Sequence, residues 1–162
     1  MADQLKRVHL TLRAAASTVA TAESLTGGRL AVALTDTPGA SETYVGGVVT
    51  YATELKASML DVDRAVIDQH GVVSAECARA MASGVMALTG ATYGIATTGV
   101  AGPSEQEGKP PGTVYVGIAG PGLLEEIALE LTGNRRQVQE RTVAEALTAF
   151  EAVLRREETV LG

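Results

Sequence analysis

Ser24 lies in the run TAESLTGG, residues 21–28, where a short extended stretch passes into a helical one through a serine and two glycines. Such a turn brings a hydroxyl to a helix N-terminus, where unpaired backbone N–H groups favour developing negative charge. Gly27 and Gly28 would let a ligand approach the backbone closely. The same residues also fit a plain helix cap with a glycine-rich turn. The run is not a Walker A loop, because no Gly-Lys-Ser/Thr follows. It is not a G-x-S-x-G elbow either, because Ala22 and Thr26 occupy the glycine positions. Tyr51 and Lys56, in VTYATELKASML, are the second candidate pair. A strand ending at Tyr51 with Lys56 one turn into the next helix would bring both to one rim of a sheet. A lysine withdrawn from water loses basicity and can act as a base, and a tyrosine can relay the proton. The plainer reading is a surface lysine beside a packing tyrosine.

The third candidate is TTGVAGPSEQEGKPPGTV, residues 97–114. Thr98-Gly99 would end a strand and open a loop in which Gly102, Gly108 and Gly112 allow a concave nest of backbone N–H groups, with Lys109 as a point charge. A mobile connection is the competing view. Arg135 and Arg136 stand at the start of the last helix, where the dipole disfavours cations, so an anion nearby would explain them. Cys77 falls on the apolar face of its helix and reads as core. His9 and His70 lie in unrelated contexts, and Asp61 and Asp63 fit turn and capping roles.

Composition narrows the field. At 162 residues the chain fits one domain, residues 1–162, and 46% hydrophobic with 20% charged residues excludes a disordered linker protein. A net charge of -6 provides no basic field for nucleic acid or an anionic membrane, so an anionic ligand must be caught locally. Aromatic residues at 3%, with no Trp, argue against a base-stacking surface. One cysteine and two histidines exclude a disulfide framework and leave few ligands for zinc. No apolar run reaches the ~18 residues of a membrane span, and the N-terminus lacks a signal-peptide core; a soluble cytoplasmic protein is expected.

The elements that would position these residues alternate. Periodicity predicts a helix over 3–17, a strand over 18–22, a helix over about 27–36 and a strand over Tyr44–Tyr51. Short helices over 53–60 and 63–69 follow, then a helix capped by Ser74 and a strand over Thr92–Thr98. Val114–Ala119 and Leu124–Leu131 would form an antiparallel hairpin, and a helix over about 134–157 closes the chain. This pattern predicts an α/β layered domain, a mixed sheet covered by helices.

ESLTGG at 23–28, VVTYATELKASML at 48–60, GVVS at 71–74, TTGVAGP at 97–103 and KPPGTV at 109–114 occur together in this order. In that combination the chain resembles the CinA C-terminal domain family, the nicotinamide-nucleotide amidohydrolases, from about residue 5 to residue 155. The GNRRQVQERTVAEAL segment resembles the family's closing helix, with Gln139 where the family often has an arginine. The resemblance implies hydrolysis of the carboxamide of nicotinamide mononucleotide to nicotinate mononucleotide and ammonia, with no metal and no cofactor. It also implies an α/β homodimer in stand-alone form. Ser24 matches the nucleophile, and Tyr51 and Lys56 the residues that activate it. Backbone N–H groups near Thr26, Gly27 and Gly28 would hold the oxyanion. Thr98 and the Gly99–Gly102 loop would take the nucleotide phosphate, with Lys109 or Arg135 as counter-charge. The alternative is a non-catalytic nucleotide-binding or regulatory module of the same fold, linked to competence and DNA damage.

Overall fold

Leu5, Val8 and Leu12 recur at helical spacing, and in the computed structural model, which describes residues 1–162, they are buried along α1 (Ala2–Ala14). The helix stops short of residue 17 because Ala16 takes a left-handed conformation with φ of 50°. β1 (Val19–Glu23) is buried throughout. α2 (Arg29–Thr35) begins after Gly27 and Gly28, whose φ values of 58° and 100° suit the turn and not the helix. β2 (Tyr44–Val49) ends two residues before Tyr51. Then come α3 (Thr53–Leu60), α4 (Arg64–His70) and α5 (Ala75–Thr89). Asp63 caps α4, and the Ser74 hydroxyl caps α5 by accepting from the Cys77 N–H at 3.1 Å. β3 (Tyr93–Gly99) leads through a loop to the hairpin of β4 (Thr113–Gly120) and β5 (Leu123–Glu130). α6 (Arg135–Leu161) runs four residues past the predicted end, behind a capping box of Asn134 and Gln137.

The five strands form one mixed sheet in the order β2-β1-β3-β4-β5. β2, β1 and β3 are parallel, and β4 and β5 are antiparallel. Side chains alternate across it: Val19 and Ile95 face α1, α2 and α6, while Ala20, Ala22 and Ala96 face α3, α4 and α5. The α/β layered arrangement expected from the sequence is therefore present. α5 lies so close to the sheet that a Cβ on Gly94 would come within 2.2 Å of the Ala82 carbonyl oxygen, and one on Gly117 within 2.2 Å of that of Ala78. No helix is long and apolar enough to cross a membrane.

This topology places a site. β1 connects to β2 through α2 on one face, whereas β2 connects to β3 through α3, α4 and α5 on the other. The connections diverge on either side of β1, so a crevice opens at the carboxyl ends of β1 and β3.

Candidate active site

Ser24 is the first residue beyond β1, and its N–H donates to the Thr97 carbonyl at 3.0 Å, which fixes it beside the end of β3. β2 ends at Val49, and the chain turns there into α3. Lys56, in the first turn of α3, runs back beneath that turn and is only 1% exposed. Its Nζ lies 3.0 Å from Ser24 Oγ, 2.7 Å from the Thr50 carbonyl oxygen and 3.4 Å from that of Tyr51.

This triangle accommodates both protonation states. An ammonium donates its three hydrogens to the three oxygens. A neutral amine donates two to the carbonyls and turns its lone pair to the Ser24 hydroxyl, which then donates to Nζ. Burial lowers the Lys56 pKa from its ordinary 10.5, against smaller opposing pulls from Cys77 and Glu107. Cys77, 0% exposed, has its thiol pushed up to about 11 by burial, so it remains a protonated core side chain at neutral pH.

Above Ser24 and Lys56 opens a cavity of about 440 Å³, walled by Leu25, Val72, Val73 and Val100 and rimmed by residues 102–106, Tyr51 and Arg135. Arg135 donates to the Gly102 carbonyl at 2.7 Å and to the Tyr51 hydroxyl at 2.5 Å. Thr98 lines the floor, its hydroxyl donating to the Val72 carbonyl at 2.6 Å. Ser24, Tyr51, Lys56, Thr98, Gly102 and Arg135 thus meet around one cavity.

Other expected residues are used differently. The Tyr51 phenol reaches Arg135 at the rim, and only the main-chain carbonyl of Tyr51 reaches Lys56, so the phenol is not placed to relay its proton. Of Thr26, 0% exposed, the hydroxyl is engaged, donating to Glu23 at 2.6 Å and lying 2.8 Å from the Thr97 hydroxyl, while its N–H has no acceptor in the protein. The Gly27 N–H donates to the Ser24 carbonyl at 3.1 Å, so it is not a free anion donor. Gly28 serves as the left-handed N-cap of α2 and is not among the cavity residues. Gly99 lies outside the cavity; a Cβ there would come within 2.6 Å of the Thr113 carbonyl, so close strand approach explains it. Lys109 also lies outside the cavity lining, its ammonium on the carbonyl of Val73 in the cavity wall.

Three residues missed by sequence reasoning support the site. Glu23, 1% exposed, accepts from the Leu30 and Ala31 N–H groups at 2.8 and 3.1 Å, so an internal carboxylate occupies the α2 N-terminus expected to receive the oxyanion. A lone acid ending an apolar strand just before a helix was the available signal. Glu107 accepts from the N–H groups of Val72 and Val73 at 3.0 and 2.8 Å, and with Lys109 it pins that wall of the cavity. Gln139 donates to the Leu25 carbonyl at 2.9 Å. For these last two, separations of 34 to 114 residues left no local signal.

Residues 2–154 match the family described as the CinA C-terminal domain. A CinA-like protein of Frankia casuarinae is 49% identical over 153 residues, which cover 94% of this chain and 35% of that protein. The chain spans about a third of the length of such curated relatives. Among solved structures, a competence-damaged protein (CinA) superfamily protein of Klebsiella pneumoniae superposes with a TM-score of 0.92 at 35% identity, covering 95% of this chain and 97% of that one. Competence damage-inducible protein A of Klebsiella pneumoniae subsp. pneumoniae gives 0.90 at 36% identity, covering 93% and 94%. The chain belongs to the CinA C-terminal domain family.

Proposed function

We propose that this CinA-family domain is a serine amidase that hydrolyses the carboxamide of nicotinamide mononucleotide, giving nicotinate mononucleotide and ammonia. The observation that carries the reading is the buried Lys56 Nζ at 3.0 Å from Ser24 Oγ, under an open cavity. Burying an amine against its charge lowers stability, and a binding module gains nothing from it. A serine that needs a base gains the base.

In the first step the Ser24 O–H proton passes to neutral Lys56 Nζ while Oγ bonds to the carboxamide carbon, made electrophilic by the pyridinium ring. The carbonyl oxygen becomes an oxyanion. Lys56 then returns the proton to the amide nitrogen as the C–N bond breaks, and ammonia leaves a Ser24 ester. Water enters, gives a proton to Lys56 and attacks the ester. Collapse releases the carboxyl product, and Ser24 recovers its hydrogen from Lys56. Arg135, the guanidinium at the cavity rim, is the group suited to the phosphate.

The test is to incubate the purified chain with nicotinamide mononucleotide and measure ammonia and nicotinate mononucleotide. They should appear in equal amounts, and neither should appear with Ser24→Ala. Binding of the nucleotide with no ammonia from the native chain would overturn the enzyme reading in favour of the regulatory module.

A further inference from the structure

Directly after Ser24, two successive peptides have their carbonyls tied down and their N–H groups free. The Ser24 carbonyl accepts from the Gly27 N–H at 3.1 Å. The Leu25 carbonyl accepts from Gln139 Nε2 at 2.9 Å. Both peptides are trans, the chain's cis bond being Gly102–Pro103. A planar trans peptide points its N–H opposite to its carbonyl. The Leu25 N–H is therefore turned away from Gly27, and the Thr26 N–H away from α6. Neither N–H has an acceptor in the protein, although Leu25 is 3% and Thr26 0% exposed. Unpaired buried N–H groups are rare because each forfeits a hydrogen bond. Two in a row beside a nucleophile have a use: an oxyanion forming on the carbon attached to Ser24 Oγ would satisfy both.

We propose that Gln139 is the positioning residue of this oxyanion site, holding the Leu25–Thr26 peptide so that its N–H is presented and its carbonyl kept away. Gln139 is 7% exposed, and its neighbour Val138 packs with Leu25, so the amide is held where it acts. Leu25 has no other donor on its carbonyl. Released, that peptide can rotate and set a carbonyl dipole where the negative charge must form. Gln139 would touch neither substrate nor reacting atoms. The proposal rests on the serine-amidase reading and adds a residue to it.

The experiment compares the native chain with Gln139→Met, which keeps length and loses the donor, and with the isosteric Gln139→Glu should the first fold poorly. The probe is 3-pyridylboronic acid, whose boron bonds Ser24 Oγ as the hydroxyl proton passes to Lys56 Nζ, giving a tetrahedral, anionic adduct detectable by boron NMR. The adduct should be about 10- to 100-fold weaker in the variants, short of the ~10²–10³ expected for outright loss of an oxyanion donor. Nicotinamide mononucleotide turnover should fall in kcat by the same factor, with KM within a few fold. Nicotinate mononucleotide, which makes no tetrahedral adduct, should bind unchanged. Equal adduct affinity in a folded variant, or a matching loss of nicotinate mononucleotide binding, would overturn the role of Gln139 alone. Absence of any adduct on the native Ser24 would overturn it together with the amidase reading.

Discussion

Lys56→Met separates a catalytic base from a buried structural lysine by two measurements that must agree. Methionine fills much the same space but leaves the Thr50 and Tyr51 carbonyls without their donor and Ser24 without its base. A general base contributes about 10²–10⁴-fold, and a nucleophile deprived of its base behaves almost as if absent, so kcat should fall by about 10⁴. At 1.36 kcal/mol per tenfold, that is about 5.4 kcal/mol of transition-state stabilisation. Stability should move far less. The lost hydrogen bonds cost about 1 kcal/mol each, and relief of the buried charge offsets them. The sharper signature is pH. Burial lowers the folded-state pKa of Lys56 below 10.5, so between those two values the unfolded chain binds more protons and native stability rises with pH. Below the folded-state pKa the burial penalty is full; above 10.5 it has vanished. Each unit of depression is worth about 1.4 kcal/mol. The stability of the native chain relative to Lys56→Met should therefore climb through that window. The acid limb of native kcat/KM should have its midpoint at the lower edge, since that limb reports the free enzyme's base. Urea titrations and initial rates on one set of buffers give both curves. An acid limb with no matching stability slope would assign the base to another group and refute the argument.

Ser24→Ala should lower kcat by about 10⁴ or more while nicotinamide mononucleotide still binds within a few fold, as calorimetry would show. Tyr51→Phe should cost less than tenfold in kcat and leave the acid limb in place, because the phenol meets Arg135 and not Lys56; a loss as large as that of Lys56→Met would make Tyr51 the proton acceptor. Thr50→Val removes the buried side-chain oxygen that has no partner and keeps the carbonyl that holds Lys56. It should raise stability by about 1 kcal/mol, read as a Tm increase of about 2–4 °C, with activity retained. Gly117→Ala would set a methyl within 2.2 Å of the Ala78 carbonyl and should destabilise by about 1–3 kcal/mol in urea titration.

The order of helices and strands could be read in the sequence because burial imposes short periods on short segments. The stripe of Leu5, Val8 and Leu12 and the unbroken apolar run of β1 are local properties. Ser24 and Lys56 were also visible, each standing just past a strand that the pattern predicts. Tyr51 was misread because β2 stops at Val49: as the backbone leaves the ladder, the carbonyls of Thr50 and Tyr51, not the phenol, turn to the lysine. Lys109 was misread because a cation in a glycine-rich loop has the same composition whether it meets a ligand or the Val73 carbonyl. Glu107 and Gln139 could not have been found from one chain's local pattern. Their partners lie 34 and 114 residues away and are backbone atoms, which carry no side-chain signature.

That last fact bears on how the site works. Apart from Ser24 and Lys56, the polar atoms arranged at the candidate site are largely main chain: two carbonyls directing the lysine and two free N–H groups following the serine. Main-chain groups held in this way do not swing to meet a charge and are oriented beforehand, and the fold does this with polar side chains one step removed. Glu23 takes up the N–H groups of Leu30 and Ala31 in the first turn of α2, so they are not open to a ligand anion. Gln139 fixes one peptide of that turn, and Glu107 fixes the opposite wall. Glu23 and Gln139 are buried, and both carboxylate oxygens of the exposed Glu107 are held by main-chain N–H groups, which limits how far these peptides can reorganise. A lysine suits such a site as the proposed base. The amine is oriented by the two carbonyls that the chain exposes as it leaves the strand, with no further side chain required.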